Sequence, residues 1–358
     1  MKKWRTLFRF FSGLGVNALG HSHPAIVEAI NDQINRFSHV SNFFITDVQL
    51  EFAEKLLKYS EMSKVFLTNS GTEAVEAALK AVRRIKNLEG EILSFTKSYH
   101  GRTYGALSLT DRIEYKKEFE PLLPQISKIT FNDEDDLIKK VNDNTAAIFM
   151  EFVQGESGIN IITDCFVDTI TRLKEKYDFA IIADCIQSGI GRTGKPYAFN
   201  YFNIKPDIVL VAKSIGGGLP LGAILTRGVY DEAFSYGVHG STFGGNPVSC
   251  TAGIVVLDEV FGKGLVNSVA ELGEYFISEL RELSNKFPSI INDVRGLGFM
   301  IGVETTSDCD EIVNQLRERK VLINCTNQNV IRILPPLIAT KNDIDFFLYN
   351  FHEVLKSL

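Results

Sequence analysis

A chain of 358 residues, 45% hydrophobic and 23% charged, can bury a large core, and its length favours two domains over one. A net charge of −6 and the lack of any basic run argue against nucleic acid or an anionic membrane as partner. No apolar stretch approaches the roughly 20 residues of a membrane span. The opening Met1-Lys-Lys-Trp-Arg-Thr-Leu-Phe has a passing likeness to a signal peptide, but Arg9 interrupts it and Gly13, Gly15 and Asn17 follow closely. Five cysteines, odd in number, scattered and without a Cys-x-x-Cys pair, read as reduced thiols of a cytoplasmic protein.

In chain order, short apolar runs predict strands at 64–68, 92–96, 146–152, 179–184, 208–212 and 223–226. Helical patterns fall between several of them, at 72–86, 135–141 and 164–177. That alternation predicts an α/β fold, a mostly parallel sheet covered by helices on both faces. Beyond residue 250 the rhythm changes to longer helices, at 251–261, 267–287, 309–319 and 342–355. Strand-like pieces at 299–304, 321–324 and 330–334 interrupt them, which predicts a smaller α+β domain. The expected organisation is a segment 1–40 joining the small domain, a large domain 41–250, and the small domain 251–358.

Two strand ends carry the chemistry. The run Asp207-Ile-Val-Leu-Val-Ala ends in Lys213 and continues Ser-Ile-Gly-Gly-Gly-Leu-Pro, and 29 residues upstream another apolar run ends in Asp184. An amine and an acid at the carboxyl ends of buried strands suggest a site that holds a carbonyl compound as a Schiff base. Asn69-Ser-Gly-Thr-Glu-Ala74 opens a helix, with Ser70 and Glu73 spaced as a capping box. The N–H groups of Gly71 and Thr72 could equally hold a phosphate there.

Three further segments stay open on their residues alone. In the loop Ser98-Tyr-His-Gly-Arg-Thr103, Tyr99 could cover a flat ligand and Arg102 grip a carboxylate, or both could simply pack in a turn. His239-Gly-Ser-Thr-Phe-Gly-Gly-Asn-Pro247 is either a phosphate-touching loop or a domain connection. His21 and His23 lack carboxylate or cysteine co-ligands at a metal spacing, so a helix opened by Pro24 is favoured. Gly189-Ile-Gly-Arg-Thr-Gly-Lys195 matches two nucleotide-binding patterns literally. It has Pro196 where a magnesium-binding hydroxyl belongs and starts too far after the strand, so it reads as a turn.

Together these segments resemble the class III aminotransferases, pyridoxal 5′-phosphate enzymes of fold type I, and among them the acetylornithine aminotransferases. Gly15-Val-Asn-Ala-Leu-Gly-His-Ser-His-Pro24, Val153-Gln-Gly-Glu156, Leu322-Ile-Asn-Cys-Thr326 and Ile331-Arg-Ile-Leu-Pro-Pro336 share in the likeness, which runs from about residue 10 to the C-terminus. The resemblance implies that Lys213 forms the Schiff base with the cofactor and shuttles the proton, while Asp184 faces the pyridine nitrogen. It further implies Gln187 on the phenolic oxygen, Tyr99 over the ring, Gly71 and Thr72 on the phosphate, and Thr242 with Ser241 reaching the site of the other subunit of a homodimer. Arg102 is expected on the remote carboxylate, Arg332 on the α-carboxylate of glutamate, and Glu156 as the gate that covers Arg332. The implied reaction is ω-transamination of N-acetylornithine with 2-oxoglutarate, a ping-pong step of arginine biosynthesis. Ornithine, succinylornithine, 4-aminobutyrate and acetyl-lysine derivatives stand as alternative donors, and a catalytically impaired cofactor-binding homologue as an alternative role.

The chain departs from the family's usual residues at Cys185, Phe152, Val75 and Arg9. Family members normally carry a further segment before the region of Phe11, one that helps wall the substrate pocket. The cofactor site is therefore expected to be more complete than the substrate pocket.

Overall fold

The computed structural model describes residues 8–86 and 89–358, with the side chains of Phe8 and Arg9 outside the description. The side chain that departs from the family at Arg9 and the signal-like start at residues 1–7 therefore lie outside the description. A seven-stranded sheet forms the larger layer. Its strands are β1 (Lys64–Thr68), β2 (Glu91–Phe95), β3 (Ile126–Ile129), β4 (Thr145–Met150), β5 (Ala180–Asp184), β6 (Ile208–Val211) and β7 (Gly222–Thr226). The spatial order is β1-β7-β6-β5-β4-β2-β3, and only β7 runs antiparallel to its neighbours.

Alternate residues of the central strands feed two separate cores, which is why those strands are apolar on both faces. Ile181 and Val209 join one core, Ile182 and Leu210 the other. Helix α1 (Gly71–Ile85) closes the second face with the small side chains of Ala74, Ala77, Ala78 and Ala81, so its backbone lies near the sheet.

Beyond the large sheet, Ile291–Leu297 (β8), Met300–Thr305 (β9), Asn324–Thr326 (β10) and Val330–Ile333 (β11) make an antiparallel sheet in the order β8-β9-β11-β10. Helices Leu265–Lys286, Asp310–Glu318 and Lys341–Leu355 accompany it. The N-terminal segment docks there too. Phe8–Arg9 pairs in parallel with Val321–Leu322, the Leu334 N–H donates to the Phe10 carbonyl at 2.7 Å, and the Phe10 ring packs on Phe276 and Phe347.

Within the seven-stranded and four-stranded sheets, two strands were not anticipated. Ser127 and Lys128 break the apolar run of the edge strand β3, and Asn292, Asp293 and Arg295 do the same for β8, which closes an edge of its sheet. One expectation is overturned. Cys309 and Cys325 form a disulfide, their Cα atoms 5.9 Å apart, while Cys165, Cys185 and Cys250 are free. Spacing along the chain hid the pair, because the helix Asp310–Glu318 and a short strand fold back between them. No helix among the described residues is long and apolar enough to cross a membrane.

Candidate active site

The carboxyl ends of β4, β5 and β6 open on a cavity of about 410 Å³, walled further by the start of α1 and the loop after β2. Ligands of open α/β sheets bind at such strand ends. Lys213 follows β6 with φ +50, a left-handed conformation that costs a non-glycine residue on the order of 1 kcal/mol. Its side chain lines the cavity, where it makes no hydrogen bond or ion pair among the described residues. Burial lowers its pKa, the nearby Arg332 charge adds to this, and Glu156, Asp184 and Glu151 oppose it.

Asp184 is almost wholly buried, yet both its oxygens are partnered. Oδ1 accepts the Ile186 N–H at 3.1 Å, and Oδ2 lies 2.7 Å from His100 Nδ1. The carboxylate orients that nitrogen as donor and leaves His100 Nε2 buried without a partner. On the adjacent strand end, Glu151 accepts the Tyr99 N–H at 3.0 Å and the Gly155 N–H at 3.3 Å, which ties two loops of the cavity together. Burial first, then the charge of Asp184, pushes the Glu151 carboxyl up to about 8.

At the start of α1 the capping box is displaced by one residue. Ser70 caps the Glu73 N–H as expected, but the Glu73 carboxylate turns back to the backbone and side chain of Asn69. Gly71 and Thr72 occupy the first two helical positions, whose N–H groups have no intrahelical acceptor. Gly101 is required beside them: its φ is +135, and a β-carbon there would lie 2.4 Å from the Thr72 hydroxyl.

Arg332, only 1% exposed, donates from Nη1 to Glu156 Oε1 at 2.6 Å and to the Gly155 carbonyl at 3.0 Å. Gln187 joins the pair, its Nε2 donating to Glu156 Oε1 at 3.2 Å. Burial works against the Glu156 carboxylate, but the charge and hydrogen bond of Arg332 outweigh it and hold the pKa below the ordinary value. Arg102 lines the cavity with its guanidinium stacked on the Tyr115 ring, 3.3 Å from the centroid.

The Aminotransferase class-III family profile matches residues 4–355. The acetylornithine aminotransferase of Aquifex aeolicus is 44% identical over 351 residues, covering 97% of this chain and 91% of the relative. Ornithine aminotransferase 2 of Staphylococcus aureus is 39% identical over 345 residues, covering 94% and 86%. Among solved structures, the ornithine aminotransferase of Toxoplasma gondii superposes with a TM-score of 0.94 at 29% identity, covering 99% of this chain and 87% of that one. The acetylornithine aminotransferase of Elizabethkingia anophelis gives a TM-score of 0.87 at 28% identity, covering 100% and 91%. The chain belongs to the class-III aminotransferases.

Its fold is thus the fold type I α/β architecture, and enzymes of this class depend on pyridoxal phosphate. Of the expected residues, the aminotransferase brings Gly71, Thr72, Tyr99, Arg102, Asp184, Gln187 and Lys213 to one cavity. Glu156 and Arg332 adjoin it through Gln187. Ser241 and Thr242 do not line it within one chain. Ser241 Oγ accepts from Asn69 Nδ2 at 3.1 Å, and Thr242 is exposed on a neighbouring surface groove. The glycine pattern 189–195 is a turn, with Gly194 against Ala270 and Arg192 buried beneath it.

Sequence reasoning passed over His100, Glu151 and Tyr115. Glu151 carried the same signal as Asp184, a carboxylate just past an apolar parallel strand, on the strand next door. His100 sat within a segment already singled out, while nothing in the sequence joined Tyr115 to Arg102.

Proposed function

We propose that this aminotransferase moves the ω-amino group of N-acetylornithine to 2-oxoglutarate in two half-reactions, a step toward arginine. The observation that carries the reading is the Glu156–Arg332 pair beside a cavity whose wall already holds a second arginine, Arg102. The residues present fit pyridoxal phosphate: an unpartnered amine at Lys213, a buried carboxylate at Asp184, open helix N–H groups at Gly71 and Thr72, and the ring of Tyr99. Asp184 would hold the pyridine nitrogen, Gln187 the phenolic oxygen, and Gly71 with Thr72 the phosphate. Bound there, the cofactor supplies an electron-withdrawing ring for charge developing at the substrate carbon.

The protein's part is positioning and proton movement. Lys213 Nζ is the amine that takes the proton from the substrate carbon and returns it, and burial lowers its pKa in the direction that role needs. His100 holds Asp184 in place through Nδ1. Arg102 receives the carboxylate remote from the reacting amine. With an ω-amino donor, Arg332 stays covered by Glu156, since an unpaired buried guanidinium is costly. With glutamate, the α-carboxylate replaces Glu156 in a two-pronged bond to Arg332.

The reading includes a homodimer with shared sites and the 1–40, 41–250, 251–358 division. Phe43 (83% exposed) and Tyr236 (95%) line the groove of Ser241 and Thr242, an apolar surface which a second copy would cover. Stopped-flow absorbance on purified holoenzyme, mixed in turn with N-acetylornithine, ornithine, 4-aminobutyrate and glutamate, tests the function. Rapid conversion by N-acetylornithine and by glutamate is expected. No conversion by any ω-amino donor overturns the proposal, and a marked preference for free ornithine moves the donor to that alternative.

A further inference from the structure

The edge strand β10 holds both members of the Glu156–Arg332 pair. Asn324 sits directly across from Arg332 in the ladder, and its Oδ1 accepts from Arg332 Nε at 3.2 Å. Two residues on, Thr326 Oγ1 donates to the Glu156 carbonyl at 2.6 Å. The residue between them is Cys325, bonded to Cys309 at the start of the helix Asp310–Glu318. β10 has a hydrogen-bonded neighbour on one side only, β11, over three residue pairs. The disulfide is its covalent anchor on the other side.

We propose that Asn324 and Thr326 are positioning residues for this pair and that the Cys309–Cys325 bond sets their grip, so that thiol redox state tunes how well the site accepts glutamate relative to ω-amino donors. The inference rests on the gate reading above. Arg332 needs a fixed fork to receive an α-carboxylate, and the Asn324 amide oxygen is what fixes its Nε edge once Glu156 has left Nη1. A loosened β10 removes that constraint. An ω-amino donor leaves Arg332 paired with Glu156 and draws far less on Asn324.

The chemistry is that of dithiol exchange. A dithiol thiolate attacks the Cys325 sulfur, the S–S bond breaks, Cys309 leaves as thiolate and takes a proton, and the second thiol of the reductant closes to free Cys325. Two electrons and two protons pass to the protein, and the reductant becomes a disulfide. Cys309 is fully buried and Cys325 is partly exposed, which selects the sulfur attacked. The Gln328 carbonyl lies 2.9 Å from Cys325 Sγ and 3.5 Å from Cys309 Sγ, ready to accept an S–H from the opened pair.

The test uses the holoenzyme equilibrated with oxidised glutathione or with dithiothreitol. Alkylation mass spectrometry should count three free thiols in the first state and five in the second. The ratio of kcat/KM for glutamate to that for the ω-amino donor should fall about tenfold on reduction, the loss of one hydrogen bond to a charged group. The affinity for glutarate, an unreactive dicarboxylate, should fall with it in calorimetry. A Cys309→Ser/Cys325→Ser variant should show the reduced ratio in both states. Asn324→Ala should show the lowered ratio while oxidised, with no further fall on reduction, because the two changes act through one contact.

Five alkylated thiols under oxidised glutathione, equal effects on both half-reactions, or a full redox response in Asn324→Ala each overturn the proposal. Wild-type enzyme inert toward both donors refutes the gate itself, and the inference falls with it. Normal half-reactions with a redox-insensitive ratio refute the inference alone.

Discussion

The two ends of the site are built differently. At the cofactor end, Asp184 terminates β5, Glu151 directly follows β4, and Lys213 stands two residues beyond β6, so a buried parallel ladder sets their spacing. At the substrate end, Glu156 rides in the short hairpin between Val153–Gln154 and Asn160–Ile161, Arg332 comes from the small sheet, and Arg102 sits on a loop propped by Tyr115. Groups on strand ends inherit the rigidity of a packed core, whereas groups gathered from loops and a second sheet can shift one against another. On the proposed reading, the contrast separates chemistry common to every substrate from recognition that must change between half-reactions.

The sharpest way to break this contrast is Lys213→Ala. It removes the one amine among the described residues that line the cavity while leaving the ladder intact, so turnover of every donor should fall at least about a thousandfold in a folded protein. Borohydride should fix pyridoxal phosphate to the wild type and not to the variant, and circular dichroism should show native structure in both. Near-normal transamination by the variant would place the proton transfer elsewhere.

A smaller and selective effect is expected at the other end. Arg332→Ala removes the proposed α-carboxylate partner and leaves Glu156 without its charge partner. The glutamate half-reaction should lose about a hundredfold in kcat/KM, close to 2.7 kcal/mol, and the ω-amino half-reaction markedly less. Single-turnover rates with each donor measure the split. Equal losses would mean that Arg332 supports the fold of the site and does not read the substrate.

The same contrast governs what the sequence revealed. Asp184 and Lys213 were legible because apolar runs announce buried strands and a polar residue at their end stands out. Nothing comparable marks Asn324, Tyr115 or the Cys309–Cys325 pair, which touch their partners only after a hairpin, a loop and a helix have folded. The roles proposed for Arg332 and Glu156 came from the family likeness, since a charged residue inside β11 gives no sign by itself of pairing with a carboxylate beside a cavity. β3 and β8 were missed for the converse reason, their polar positions masking the strand pattern at sheet edges.

Glu151 supplies the smallest effect and tests whether the cofactor end is preset electrostatically. Its carboxyl is pushed from an ordinary 4.5 up to about 8 by burial and then by the Asp184 charge. Between those values the folded chain keeps a proton that the unfolded chain has released. The stability this group contributes is therefore complete below about 4.5 and is lost as the pH rises through about 8. Glu151→Gln cannot ionise, so the fall in stability across that window should flatten. Glutamine has one oxygen to offer the N–H groups of Tyr99 and Gly155, where the carboxyl offers two. The variant should then be about 1 kcal/mol less stable than wild type at low pH, with the gap closing or reversing as the pH rises. Denaturant unfolding of the cofactor-free protein at about pH 5, 7 and 9 measures both quantities. Parallel curves for the two proteins would show that Glu151 is ionised throughout, and that its oxygens only tie the Tyr99 loop to the Glu156 hairpin.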